Sequence, residues 1–139
     1  LRDRVCAVSN KTHYNEMNVL SMHALIGAYQ PQGCEWVDEL NQVLAGNIDY
    51  FCDYVDEHFE GVSYSRPQGT YMVFLDCTEW CRDHGHDIQW LLDEGARVGV
   101  GYQDGRPFHG PCHIRVNLAL PLSWVKEACD RLDRYVFGV

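Results

Sequence analysis

The sequence predicts an α+β domain in which a small sheet, antiparallel or mixed, is covered by helices. Three stretches carry that reading. Cys112 to Leu118 alternates strictly, with Ile114, Val116 and Leu118 on one face of a strand and His113, Arg115 and Asn117 on the other. Tyr71 to Leu75 is apolar on both faces, as befits a strand in the middle of a covered sheet. Glu35 to Phe59 repeats apolar side chains every three or four positions, the mark of a surface helix with one buried face.

The elements follow in order. Residues 1–12 show no clear period, but from about His13 to Gln30 the composition is helical. Met17, Leu20, Ala24, Leu25 and Ala28 form one stripe and Val19, Met22, Ile26 and Tyr29 a second, so this helix is apolar nearly all round. It needs cover on two sides, either as a segment running between two domains or as a core helix of this one. Gln30-Pro31-Gln32-Gly33 breaks the pattern. In the helix of residues 35–59, Val37, Leu40, Leu44, Ile48, Phe51, Val55 and Phe59 make the stripe, acidic residues such as Asp49 and Asp53 lie off it, and Gly61 supplies the stop. Val62 to Ser65 and Thr70 to Cys77 read as strands around a Pro67-Gln68-Gly69 turn, and Thr78 to Gly85 as polar loop. Asp87 caps a short helix, Ile88 to Glu94, which Gly95 stops, and Arg97 to Gly101 reads as a brief strand. A glycine-containing loop leads to the alternating strand, which Pro121 ends. Ser123 then caps a last helix that buries Val125, Ala128, Cys129, Leu132 and Val136.

With 139 residues the chain is one domain or a piece of a larger one. A net charge of −9 argues against partners that are polyanionic nucleic acid or an anionic membrane, because both need a basic surface. No apolar run approaches a membrane span and the start shows no signal peptide, so the expectation is a cytoplasmic protein. A start on Leu1, directly inside charged and unpunctuated sequence, suggests a chain cut from something longer. The seven cysteines are odd in number and scattered, which fits reduced thiols serving as small core residues.

Arg115 is the residue with the plainest binding chemistry, since a guanidinium offers a planar fork that matches the two oxygens of a carboxylate. A solvated polar strand face is the plain alternative. Cys77, Cys81, His84 and His86 have the right atoms for zinc, but four ligands within ten residues leave little room for a tetrahedron, so no metal is expected. Cys112 and His113 are adjacent on a strand and point to opposite faces, so they cannot act as a nucleophilic pair. No Gly-x-Ser-x-Gly elbow or Gly-x-x-x-x-Gly-Lys phosphate loop is present. Lysine is scarce, with only Lys11 and Lys126, both expected to be solvated.

Asn18, then Ala28-Tyr29-x-x-x-Gly33-x-x-Trp36, Asn47, Gly69-Thr70-Tyr71, Asp76 and finally Arg115-x-Asn117-x-Ala119-x-Pro121 resemble the C-terminal part of fold-type I pyridoxal-phosphate enzymes. Within them the chain is most similar to the class I/II aminotransferase relatives that include the cystathionine beta-lyase type of carbon–sulfur lyase. The resemblance implies an aminotransferase small domain over residues 31–139, with 1–30 as the end of the large domain and a long bridging helix. It assigns Arg115 to the substrate α-carboxylate, with Tyr71 and Asn117 in support, and implies a homodimeric parent acting on amino acids by transamination or β-elimination. By the same resemblance, the cofactor-bearing lysine and the acidic partner of the pyridinium nitrogen are expected in a large domain outside this chain. Lys11 does not stand in the family's lysine context. The chain alone is therefore expected to bind no pyridoxal phosphate, to hold no catalytic residue and to be inactive. Two other functions fit the residues: a stand-alone module that binds carboxylates or a helix, and a small zinc module at Cys77 to His86.

Overall fold

The computed structural model describes residues 1–13 and 17–138, in two compact units divided between Leu40 and Asn41. Tyr14, Asn15 and Glu16, which fall in the expected helix from His13 to Gln30, lie outside the described residues.

The first unit is helical. Helix α1 spans Arg2–Thr12, α2 spans Val19–Ala28, and α3, Pro31–His58, begins here and continues into the second unit. Helix α1 was not legible as a helix because it buries nothing, and an element without a buried face leaves no apolar period in the sequence. Asn18 starts α2 by accepting a hydrogen bond from the Ser21 N–H at 2.9 Å. Both stripes of α2 are exposed, Leu20 at 81% and Tyr29 at 77%. The expected break at Gln30 to Gly33 is short, because Pro31 opens α3: proline's fixed φ and missing N–H suit the first helical position.

In the second unit, α3 buries Asn47, Phe51, Cys52 and Val55. Four strands pair antiparallel throughout in the order β1-β2-β4-β3: β1 is Ser63–Tyr64, β2 Met72–Asp76, β3 Gln103–Asp104 and β4 His113–Asn117. Helices α4 (Thr78–His84), α5 (Ile88–Arg97) and α6 (Leu122–Leu132) complete the unit, and α6 runs on into a π-helical turn, Asp133–Phe137. This is the α+β arrangement expected. The central strands β2 and β4 send Val73, Leu75, Ile114 and Val116 into one core with Phe51, Val55, Leu91, Val125, Leu132 and Val136.

Four details differ from the sequence expectation. Thr78 to His84 is a helix rather than a polar loop, anchored by Trp80, whose indole N–H donates to the Phe137 carbonyl at 3.2 Å. A seven-residue helix with only Trp80 and Cys81 buried is too short to show a period. Helix α5 passes through Gly95 to Arg97, so Gly95 is not a stop. It makes room for the Tyr102 ring, which a Cβ there would meet at 2.4 Å. The brief strand expected at Arg97 to Gly101 is absent, and the third strand lies further on, at Gln103–Asp104, after Gly99 turns the chain with φ of 78°. Finally, Pro121 rather than Ser123 takes the N-cap position of α6, with its carbonyl accepting from the Trp124 N–H at 2.9 Å.

Among the described residues all seven cysteines are free, with Cys52, Cys77, Cys81 and Cys129 buried, Cys112 half-buried, and Cys6 and Cys34 exposed. No described helix is long and apolar enough to cross a membrane.

Candidate functional site

The strict alternation of β4 turns Arg115 away from the core. In the antiparallel register, Met72 faces Asn117, Phe74 faces Arg115 and Asp76 faces His113, so these six side chains share the outer face of β2 and β4. Gln103 of β3 lies on the other flank of Arg115.

Arg115 is half-buried, and two neighbours touch it. Its Nε–H donates to Met72 Sδ at 2.7 Å, and its guanidinium carbon lies 4.5 Å from the centre of the Phe108 ring. Among the described residues no carboxylate lies within ion-pair distance of Arg115, and neither Nη has a hydrogen-bond partner. The arrangement is a cation with its donor edge uncommitted, beside an aromatic ring and a thioether.

Two residues further along, His113 stacks on Phe74 with ring centres 4.7 Å apart, and its Nε2 lies 3.7 Å from Asp76 Oδ2. His113 Nδ1 is buried without a partner among the described residues. Burial opposes ionisation of Asp76, but hydrogen bonds from the Thr78 N–H (2.9 Å) and hydroxyl (2.5 Å), with His113 nearby, outweigh it and hold the carboxyl below its usual range.

The supporting residues act on the backbone. Asn117 Oδ1 accepts from the Ala119 N–H at 2.8 Å, and the Tyr71 carbonyl accepts from the Leu118 N–H at 2.8 Å, so both shape the end of β4 rather than touch Arg115. Asn47 does the same from α3: it is 1% exposed, and its Nδ2 donates to the Leu118 and Leu120 carbonyls, each at 2.8 Å. Its signal was present in the sequence as a polar side chain on the apolar stripe, between Leu44 and Phe51. Phe108 and Met72 carried no such signal, because an aromatic in a glycine loop and a thioether in an apolar strand are ordinary.

A cleft of about 330 Å³ lies on the other side of the sheet, lined by Phe51, Val116, Leu118, Trp124, Val125 and Arg131 among others. It is mainly apolar and excludes Arg115. Of the four residues considered for zinc, Cys77 and Cys81 are buried. His84 stacks on Trp80 at 4.4 Å, and its Nδ1 contacts the Trp80 carbonyl at 2.9 Å. His86 stacks on Trp90 at 3.8 Å. Among the described residues no group of three or more histidine, cysteine or acidic side chains is placed to hold a metal ion.

No family model matches the chain. A Mycobacterium leprae protein described as "Putative cystathionine beta-lyase" is 35% identical over 118 residues, 73% of this chain and 28% of that protein. A pyridoxal-phosphate-bound aminotransferase from Clostridium difficile 630, itself assigned only as putative, superposes with a TM-score of 0.79 at 25% identity, over 91% of this chain and 32% of that one. The chain is a relative of the pyridoxal-phosphate-dependent aminotransferases and carbon–sulfur lyases. The bound carbon–sulfur lyase of Staphylococcus hominis shares the fold, with a TM-score of 0.77 at 23% identity over 91% of this chain and 33% of that one. The chain thus spans about a third or less of the length of these enzymes.

Among the described residues, both lysines are open to solvent. Lys126 is exposed on α6 with its ammonium 5.1 Å from the Tyr50 ring centre, and Lys11 is exposed in the last turn of α1. Neither lies in the shielded setting that a Schiff-base lysine requires.

Proposed function

We propose that this chain is the substrate-carboxylate-binding part of a pyridoxal-phosphate-dependent enzyme that acts on amino acids, and that Arg115 receives the α-carboxylate. The observation that supports this most directly is the half-buried guanidinium of Arg115, held in place but unpaired with any acid among the described residues. A cation so placed in a net acidic chain is matched to an anion from outside. The cofactor, when bound, supplies the electron sink that stabilises loss of the Cα proton. This chain's contribution is orientation: a two-point grip on the carboxylate fixes the Cα–H bond for a base supplied elsewhere in the full-length protein.

Likeness to a mycobacterial protein described as a "Putative cystathionine beta-lyase" favours carbon–sulfur β-elimination over transamination as the parent reaction. The family resemblance further supports a homodimer, with residues 1–30 as the end of a large domain that carries the lysine and as the bridging helix; the reading extends to a cytoplasmic protein. The chain by itself is then inactive and binds no cofactor.

Arg115→Lys in the full-length protein is the test. Replacing a fork by a point charge removes one charge-assisted hydrogen bond, so KM for the amino acid rises about 10- to 100-fold. Unchanged kinetics with cystathionine, with cysteine and with an amino acid and keto acid pair would refute the carboxylate role.

A further inference from the structure

The loop between β3 and β4 is built to hold one ring against Arg115. Phe108 ends a 3₁₀ turn, Arg106–Phe108, and is 48% exposed, so half of a large apolar ring stays at the surface although the core is adjacent. The turn is stitched to the strand that carries Arg115. Gly105 N–H donates to the His113 carbonyl at 2.9 Å, His113 N–H to Gly110 at 3.2 Å, and both Phe108 N–H (2.9 Å) and Gly110 N–H (3.1 Å) to the Gly105 carbonyl.

Neither glycine can take a side chain without moving that backbone. A Cβ on Gly105 would lie 2.4 Å from the His113 carbonyl oxygen, and one on Gly110 would lie 2.5 Å from Phe74 Cζ. Arg106 locks the start of the turn through Asp104, whose Oδ2 lies 2.7 Å from Nη2, and through Gln89 of α5 at 3.1 Å. The backbone on both sides of Phe108 is therefore fixed to β4, two residues from Arg115.

We propose that Phe108 is a positioning residue for the carboxylate receptor. Its ring covers one face of the Arg115 guanidinium while Met72 takes Nε, and the plane of the fork is set before the ligand arrives, with both Nη groups uncommitted. The inference rests on the carboxylate role of Arg115 proposed above. A guanidinium free to rotate would have to be ordered on binding, so loss of the ring weakens carboxylate binding without removing the charge.

The experiment measures propionate binding to the full-length holoenzyme by titration calorimetry, for wild type and for Phe108→Leu, Phe108→Tyr and Arg115→Lys. Phe108→Leu weakens the Kd by about three- to tenfold, the range expected of a lost cation–π contact, and Phe108→Tyr restores it to within about twofold. Arg115→Lys weakens binding at least as much. An unchanged urea unfolding midpoint for Phe108→Leu separates positioning from general support of the fold. Wild-type affinity in Phe108→Leu alongside weakened binding in Arg115→Lys overturns this inference alone, as does a Phe108→Tyr variant as impaired as the leucine. Wild-type affinity in Arg115→Lys, or no saturable binding by the wild type, overturns the carboxylate role itself.

Discussion

Asn47→Ala is the most informative stability variant, because a single amide holds the segment that follows β4. The side chain is 1% exposed and its Nδ2 donates to two carbonyls at 2.8 Å. Leu118 is 2% exposed, so its carbonyl gains no water when the amide is removed, and an orphaned buried acceptor costs about 1–3 kcal/mol. Leu120 is 41% exposed, so its carbonyl is rehydrated and the loss there is nearer 0.5–1 kcal/mol, by the usual net value of a hydrogen bond. The small cavity adds to these, and the sum is about 3 kcal/mol. With a urea m-value of about 1.5 kcal/mol per molar, the midpoint falls by about 2 M. Asn47→Asp keeps the shape but replaces the donor by an acceptor facing two carbonyl oxygens, so it destabilises at least as much. A midpoint shift below about 0.5 M for either variant would show that α3 does not clamp β4 through this side chain.

The remaining predictions concern the helices and thiols. Asp87 caps α5 by accepting from the Trp90 N–H at 2.9 Å, and Asp87→Ala is expected to cost about 1 kcal/mol in urea unfolding. At pH 8, thiol-exchange reagents should label exposed Cys6 and Cys34 rapidly, and buried Cys77 and Cys129 only on unfolding. Burial pushes the Cys129 thiol up to about 12, and burial together with the adjacent Cys112 thiol does the same for Cys81, from an ordinary 9.0. A raised folded-state value stabilises in full below pH 9.0, so stability holds to about that point and is lost as pH rises towards 12; a flat midpoint across this range would contradict the burial.

What could be read from the sequence follows from which elements bury a face. Strand β4, the C-terminal half of α3, and α6 each pair one buried face with one open face, and their spacing declared them, whereas β2 was read from a short run apolar on both faces. Helix α1 buries nothing and α4 only Trp80 and Cys81, so neither wrote a period into the chain. Glycine misled at Gly95, where the missing side chain serves the Tyr102 ring rather than the end of a helix. Arg115 was legible as the candidate for binding because a guanidinium in an alternating strand is chemically conspicuous. Its neighbours were not, since Phe108 approaches from a loop whose path is set by hydrogen bonds to β4 that no local pattern encodes.

Strand β4 interleaves two kinds of obligation residue by residue, with Ile114 and Val116 committed to the core and Arg115 between them committed to the outer face. Substitutions can therefore alter the outer face and the core almost independently. Changes of length cannot: one residue inserted or deleted within this strand would drive the cation into the core and push the aliphatic side chains outward in a single step.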